Sequence, residues 1–306
     1  MFKRYELHNH TTQSDALITC EELVEKMAAD GVDCFALTDH NTISGHRIIR
    51  KLLADRDLPL QCAYGMEYTT YFGHIVCPIL NQYVPWDSID RRHPERLLAA
   101  CKQAGGITGI AHPFSYGVPF AQGCRFEMDL NDFSNVDYIE VINNPELLHE
   151  VNAPAIGWWE QLVLKGIKVA ACAGMDLHKK ETPMAMQFAT YAMGEADGDA
   201  IEELKIALAQ QKTWVSKGIL LHWTIEDDHI RFTLCDQHKP GFIPSERYIL
   251  TLTGKDGIRE LDLTEGELTL SLTDLSEIEI PKLYGEAAVL DNLVCIAPVI
   301  YKTVRE

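Results

Sequence analysis

The sequence predicts a mixed α/β fold with mostly parallel strands over residues 1–212, followed by a β-rich region over 213–306. Three observations carry this expectation. Short apolar runs alternate with amphipathic stretches as far as about residue 212. After Thr213 the helical period fades and short β-like runs separated by turn signals take its place. A content of 46% hydrophobic and 24% charged residues is enough to bury a large core.

In chain order, strands are expected at Lys3–His8, Cys34–Thr38, Leu60–Glu67, His74–Leu80, Ile107–Ala111, Tyr138–Ile142, Lys168–Ala173 and Gln187–Met193. The first helix carries its own start signal: Thr19 followed three residues later by Glu22 is a capping box ahead of Leu23, Val24 and Met27, and Gly31 stops it. A second opens at Pro94, a residue favoured in a first helical turn, and runs to Gly105-Gly106. A third occupies part of Pro145–Lys165, broken or kinked around Pro154 and Gly157, and a last one covers Asp199–Gln211. Beyond Thr213, strands are expected at Trp214–Thr224, His229–Leu234, Arg247–Thr253, Glu267–Ser271, Glu277–Ile280 and Leu293–Val304, with Lys255-Asp256-Gly257 as a tight turn. Six strands in that length suggest a small sandwich-like accessory domain, although no linker marks its boundary.

Charge and composition remove several classes of function. With 27 Lys+Arg against 45 Asp+Glu the net charge is −18, which argues against duplex nucleic acid as a partner. No stretch reaches the roughly 18 uncharged apolar residues of a membrane span, and Met1–Glu6 lacks the apolar centre of a signal peptide. Nine scattered cysteines without a C-x-x-C pair fit reduced thiols, so a cytoplasmic protein is expected.

The chemistry is concentrated in histidines and carboxylates at the ends of expected strands. His8 and His10 form H-x-H, which in an extended segment turns both imidazoles to one face. Asp15 follows in a loop. Asp39-His40 ends the second strand and Glu67 the third; then come His74, His112 and the pair Asp176 and His178. Six of the twelve histidines and three acids therefore fall at strand ends before residue 179. In folds with parallel strands those ends line one mouth, where active sites form.

The ordered series His8-Asn9-His10, Ser14-Asp15, Thr38-Asp39-His40-Asn41-Thr42, Gly65-Met66-Glu67, His112-Pro113 and Asp176-Leu177-His178 resembles the PHP (polymerase and histidinol phosphatase) metallohydrolases. Glu67-Tyr68-Thr69-Thr70 with Gly73-His74, and Trp158-Trp159 ahead of Leu162 and Gly166, are similar to their carbaryl-hydrolase-like branch. The resemblance implies a distorted (β/α)7 barrel with two or three divalent ions. His8, His10, Glu67 and Asp176 would hold one, Glu67, His74 and His112 a second, and Asp15, His40 and His178 a third. Mixed imidazole and carboxylate ligands suit zinc, manganese or iron. Ala16 and Met175 depart from the family's usual residues but only flank ligands.

The resemblance further implies a hydrolase of a small-molecule substrate that uses metal-activated hydroxide, with Glu67, Asp176 and His178 carrying catalysis. Phosphoester cleavage leads; carboxylic ester, carbamate or amide hydrolysis at the same centre is the alternative, and a non-catalytic metal-binding module is the third reading. Glu140, Asn143 and Lys179, expected at the same rim, are the candidate substrate contacts, and Glu140 could instead support the histidines from behind.

Overall fold

A computed structural model of the chain describes residues 1–302 apart from positions 57 and 88. The chain opens with a parallel unit, β1 (Phe2–Glu6), α1 (Cys20–Ala29), β2 (Cys34–Leu37), α2 (His46–Arg56) and β3 (Gln61–Tyr64), in which β1, β2 and β3 lie side by side. The capping box of α1 is formed: Glu22 N donates to Thr19 Oγ1 at 3.2 Å and Thr19 N donates to Glu22 Oε2 at 3.0 Å. Leu23, Val24 and Met27 are its buried face, as the sequence implies. Helix α2 is an addition to the expected elements, with only His46 and Ile49 fully buried on a narrow apolar face.

The expected run Leu60–Glu67 is divided at Gly65, where a Cβ would overlap the backbone of Cys77 and Pro78. Beyond it β4 (Met66–Thr70) and β5 (Gly73–Ile79) make an antiparallel hairpin. Helix α3 (Glu95–Gln103), β6 (Ile107–Ile110), β7 (Tyr138–Asn143), α4 (Ala153–Leu164) and β8 (Ala170–Gly174) follow, giving a five-stranded sheet in the order β4-β5-β6-β7-β8. Helix α4 runs unbroken through Gly157; the irregularity lies just before it, in a wide helical turn over Leu148–Asn152, and Pro154 sits in the first turn, where it costs no hydrogen bond. Strand β9 (Ala189–Met193) runs antiparallel to β1, and α5 (Ala200–Ala209), capped by Asp199, packs Leu204 and Leu208 into the core between the sheets.

The two sheets face each other across Tyr5, Leu7, Ala36, Val76, Tyr138 and Cys172. Among the described residues, isolated main-chain bridges join them at Asn9 with Leu177 and His40 with Glu67. The chain thus departs from the expected (β/α)7 barrel. A hairpin and an antiparallel strand stand where β/α units would be needed, and five α-helices are present among the described residues.

Past residue 212 there is no break in the first sheet. It runs β14-β13-β16-β17-β10-β9-β1-β2-β3, where β10 is Trp214–Ser216, β13 Tyr248–Gly254, β14 Gly257–Asp262, β16 Ile278–Gly285 and β17 Leu293–Ile296. Strand β18 (Ile300–Tyr301) pairs with β16, while β11 (Ile219–Glu226), β12 (His229–Asp236) and β15 (Glu267–Ser271) form a separate three-stranded sheet. The region is β-rich as expected, with the Lys255-Asp256 turn joining β13 to β14. Positions 303 and 304 of the expected last strand lie outside the described residues. No helix is long and apolar enough to cross a membrane among the described residues.

Val215, Ile280, Leu293 and Ile296 are buried in one cluster with Ile156, Trp159 and Val163 of α4. A chain ending at residue 212 would expose that cluster and the β9 edge, each large buried side chain being worth roughly 1.5–3 kcal/mol. We expect the truncated chain to aggregate or to lack a cooperative thermal transition. A soluble truncated chain melting within a few degrees of the full chain would contradict the shared core.

Candidate metal centre

The ends of β1, β2, β4, β5, β6 and β8 deliver the nine singled-out side chains to one place. His8 and His10, two residues apart beyond β1, each bring Nε2 to 3.3 Å from Glu67 Oε2. His40, beyond β2, places Nδ1 2.9 Å from the same oxygen, and His74 on β5 places Nδ1 2.8 Å from Glu67 Oε1. His112 Nε2 is 3.4 Å from Glu67 Oε1. Asp176 Oδ1 lies 3.1 Å from His10 Nε2 and 3.4 Å from His8 Nε2, and Asp15 Oδ1 lies 3.5 Å from His40 Nε2 and 3.4 Å from His178 Nε2. Glu67, His8 and His10 form a sealed floor, whereas Asp15, His40 and His178 are partly exposed and form the mouth.

Backbone conformation aims these groups. Asn41, His112 and Asp176 adopt φ of 52°, 25° and 45°, a left-handed region that side chains with a Cβ seldom occupy and that recurs at functional sites. Gly174 is required for a different reason: a Cβ there would overlap Glu140 Oε1.

The donor set fits divalent metal. Ligands about 2.1 Å from a tetrahedral ion lie roughly 3.4 Å from one another, the spacing found here. His8 Nε2, both ring nitrogens of His10 and Glu67 Oε2 are buried without a hydrogen-bond partner, a costly state unless something else binds their lone pairs. Ligand atoms cluster as His10, Asp15, His40 and His178; as His8, His112 and Asp176; as His8, His10 and Glu67; and as His40, Glu67 and His74. His10 therefore reaches the mouth group as well as the floor, and His112 groups with His8 and Asp176, so the partition differs from the one the resemblance implies.

Behind the centre lies a supporting layer. Glu140 Oε1 is 3.0 Å from His8 Nδ1, and its Oε2 accepts from His112 N at 2.8 Å and from Asn143 Nδ2 at 3.1 Å. Asn143 also donates toward Asp176 Oδ2 at 3.4 Å. Both side chains are buried on β7, so Glu140 and Asn143 sit beneath the ligand residues, the role the sequence left open for Glu140. A carboxylate accepting from Nδ1–H fixes the tautomer in which Nε2 carries the free lone pair. Lys179 is exposed just beyond His178, while Lys180 is held by Glu22. Two further supports had no sequence signal beyond their residue type: the Cys124 carbonyl on His112 Nδ1 at 3.1 Å and Thr69 Oγ1 on His40 Nδ1. Asp39, which its place beside His40 marks for orienting a neighbour or capping a helix, accepts from Thr11 and Ser14 and so ties down the loop carrying Asp15.

Protonation follows from this crowding. Burial disfavours charge on His8, but Glu67, Asp176 and Glu140 outweigh it and raise its pKa well above the usual value. The same balance, burial against Glu67 and Asp176, takes His112 to about 9. Burial dominates at His10 and lowers its pKa. Glu67 and Asp176, despite burial, are held well below the carboxylate range, His8 being the first of the cations beside each.

Comparison with known proteins agrees with this geometry. Residues 6–141 match the PHP domain family. The 5′-3′ exoribonuclease of Haemophilus influenzae is 39% identical over 70 residues, 23% of this chain and 25% of that protein. The 5′-3′ exoribonuclease Rnm of Salmonella typhimurium is 38% identical over 116 residues, 34% and 40% of the two chains. The matched stretches thus span well under half of these relatives. A crystal structure from Bacteroides vulgatus, of a two-domain protein containing a predicted PHP-like metal-dependent phosphoesterase, superposes with a TM-score of 0.59 at 15% identity, covering 98% of this chain and 95% of that one. At that identity the PHP-like neighbour shows the fold alone.

Two outcomes are expected. Glu140→Ala, which frees His8 Nδ1 and the His112 amide, should lower metal affinity about 10- to 100-fold, and Glu140→Gln should lower it less; an unchanged affinity measured by competitive chelation would remove Glu140 from the support layer. In metal-stripped protein, His8 and His112 have folded pKa values above the unfolded value of about 6.5, so the stability they contribute is complete below that pH and is lost as pH rises through about 9 for His112. The stabilisation that added metal confers should therefore grow between pH 6.5 and 9, read as the difference in melting temperature between loaded and stripped protein. A constant difference would refute the assignment.

Proposed function

We propose that the protein is a metal-dependent phosphoesterase. The observation that carries this reading is the convergence of nine imidazole and carboxylate side chains on one pocket, with buried lone pairs that no hydrogen bond uses. The PHP match over residues 6–141 and the PHP-like fold support it. Two or three divalent ions, of zinc, manganese or iron, would be held by His8, His10, Asp15, His40, Glu67, His74, His112, Asp176 and His178. Such ions polarise a phosphoryl oxygen and lower the pKa of bound water from 15.7 toward about 7.

The chain's own groups divide the remaining work. Glu67 is fully buried among five histidines and acts as the central acceptor that fixes their spacing. Asp176 orients His8 and His10 from the opposite side. His178 hydrogen-bonds the Asp176 carbonyl through Nδ1 at 2.8 Å and is a third exposed, which leaves its Nε2 beside Asp15 as the ligand atom at the mouth. Nine free cysteines, most of them buried, accord with a reducing cytoplasm.

The exoribonuclease names of the partial relatives favour a nucleotide-type phosphoester over a carboxylic ester or amide. A net charge of −18 disfavours tracking along duplex. Protein grown with manganese, zinc and iron should carry at least two ions per chain and cleave a simple phosphoester. Glu67→Ala should lose bound metal and at least a thousandfold in turnover. Wild-type activity in that variant, or substoichiometric metal in the parent, would overturn the reading.

A further inference from the structure

Among the described residues, four of the five exposed large aromatic side chains, Tyr71, Phe72, Tyr116 and Phe120, stand on two segments of the chain. Tyr71 and Phe72 form the turn between β4 and β5, the two strands that carry Glu67 and His74. Tyr116, Val118 and Phe120 stand on the loop that leaves β6 immediately after His112. Tyr71 is 73% and Phe120 83% exposed, far from the state such rings reach when they serve a core.

These two segments are packed together beside the strands that carry Glu67 and His74. A Cβ on Gly123 would overlap the Thr70 carbonyl and lie 3.4 Å from Tyr71 Cα. Glu127 N donates to the Phe72 carbonyl at 2.7 Å, and Phe126 N donates to the Pro113 carbonyl at 3.1 Å. Tyr116 and Phe120 meet edge to face with centroids 6.0 Å apart. The loop is anchored to the centre through Ser115 N on the His112 carbonyl at 2.9 Å and His112 Nδ1 on the Cys124 carbonyl. Tyr71 lies four residues beyond Glu67, roughly 13 Å along an extended strand.

Cations accompany the rings. Arg125 is exposed and holds the Ser115 carbonyl through Nε at 3.0 Å, and Arg91 lies 5.8 Å over the Phe72 ring. Exposed rings beside isolated arginines, in a protein that is otherwise acidic, are the combination that receives unpaired bases: every base offers a π face, and the arginines meet backbone charge. An apolar ester group would need an enclosed pocket, and these rings are open to solvent.

Resting on the phosphoesterase reading, we propose that Tyr71, Tyr116 and Phe120 form a stacking platform for an unpaired nucleobase next to the phosphate held at the metal centre. The platform selects nucleotides and single strands and rejects paired bases, whose faces are covered by their neighbours.

The test is equilibrium binding to metal-loaded full-length protein, measured apart from turnover. The probes are a 5′-phosphorylated RNA tetranucleotide, an abasic tetranucleotide with the same phosphates, adenosine monophosphate and a short RNA duplex. The parent protein should bind the tetranucleotide at least about fivefold more tightly than its abasic counterpart, the lower end of base–aromatic stacking, and more tightly than the duplex. Tyr71→Ala with Phe120→Ala should erase most of that preference, and Tyr71→Phe with Phe120→Tyr should keep it. Equal binding of normal and abasic strands by the parent, or an unchanged preference in the alanine pair, would overturn the platform. Adenosine monophosphate binding as tightly as the tetranucleotide would place a single base on it, and weaker binding would place several; both support stacking. Failure to cleave any probe would sink the phosphoesterase reading while the binding comparison still decides the platform.

Discussion

The arrangement depends on one buried carboxylate. Glu67 has no exposed surface, and its two oxygens lie within 3.4 Å of nitrogens from His8, His10, His40, His74 and His112. An isolated carboxylate moved into such a place would be costly enough to neutralise itself. It stays ionised because five imidazoles arrive from four different segments, and those segments come from both sheets. The bridge between His40 and Glu67 is one of the few main-chain contacts joining the sheets, so the chemical centre is also the seam of the fold. Metal and protons compete for the same lone pairs there, which ties occupancy to the integrity of the seam.

Support for that centre is layered. Glu140 holds His8 and the His112 amide from β7, and it has room only because residue 174 on the neighbouring strand lacks a side chain. Asp39 fastens the loop that offers Asp15, and Asn152 fastens Asn143 through Asn143 N at 2.8 Å. The strained backbone at His112 and Asp176 is held by this surrounding network of directed hydrogen bonds, the condition under which such conformations persist. Floor ligands are consequently held in place from behind, while Asp15, His40 and His178 at the mouth keep solvent contact.

Much of this was legible in the sequence because strand ends are marked twice. An apolar run announces the strand, and a polar residue directly after it announces the mouth; His8, His40, His112 and Asp176 all satisfy both conditions. The capping box of α1 was legible for the same local reason. What escaped is non-local. Nothing in Met66–Ile79 tells a β/α unit from a hairpin except which strand it pairs with, and the run from β9 into β10 looks like a domain boundary until antiparallel pairing makes it the middle of a sheet. Glu140 and Asn143 carry the residue types of a rim and the burial of a core, and only the pleat of β7 separates the two.

The acidic character of the whole chain and the proposed handling of a phosphoester are compatible through local arithmetic. Asp15, Glu67 and Asp176 bring three negative charges to the centre, and two or three divalent ions would bring four to six positive ones, so the pocket becomes cationic only when loaded. Among the described residues, the nearby arginines and Lys179 are too few and too exposed to hold a phosphate unaided. Affinity for the phosphoryl group should then follow metal occupancy, whereas on the proposed platform discrimination among esters would fall to uncharged rings. Separating the two tasks in this way would let an acidic protein repel extended polyanions and still accept a short one.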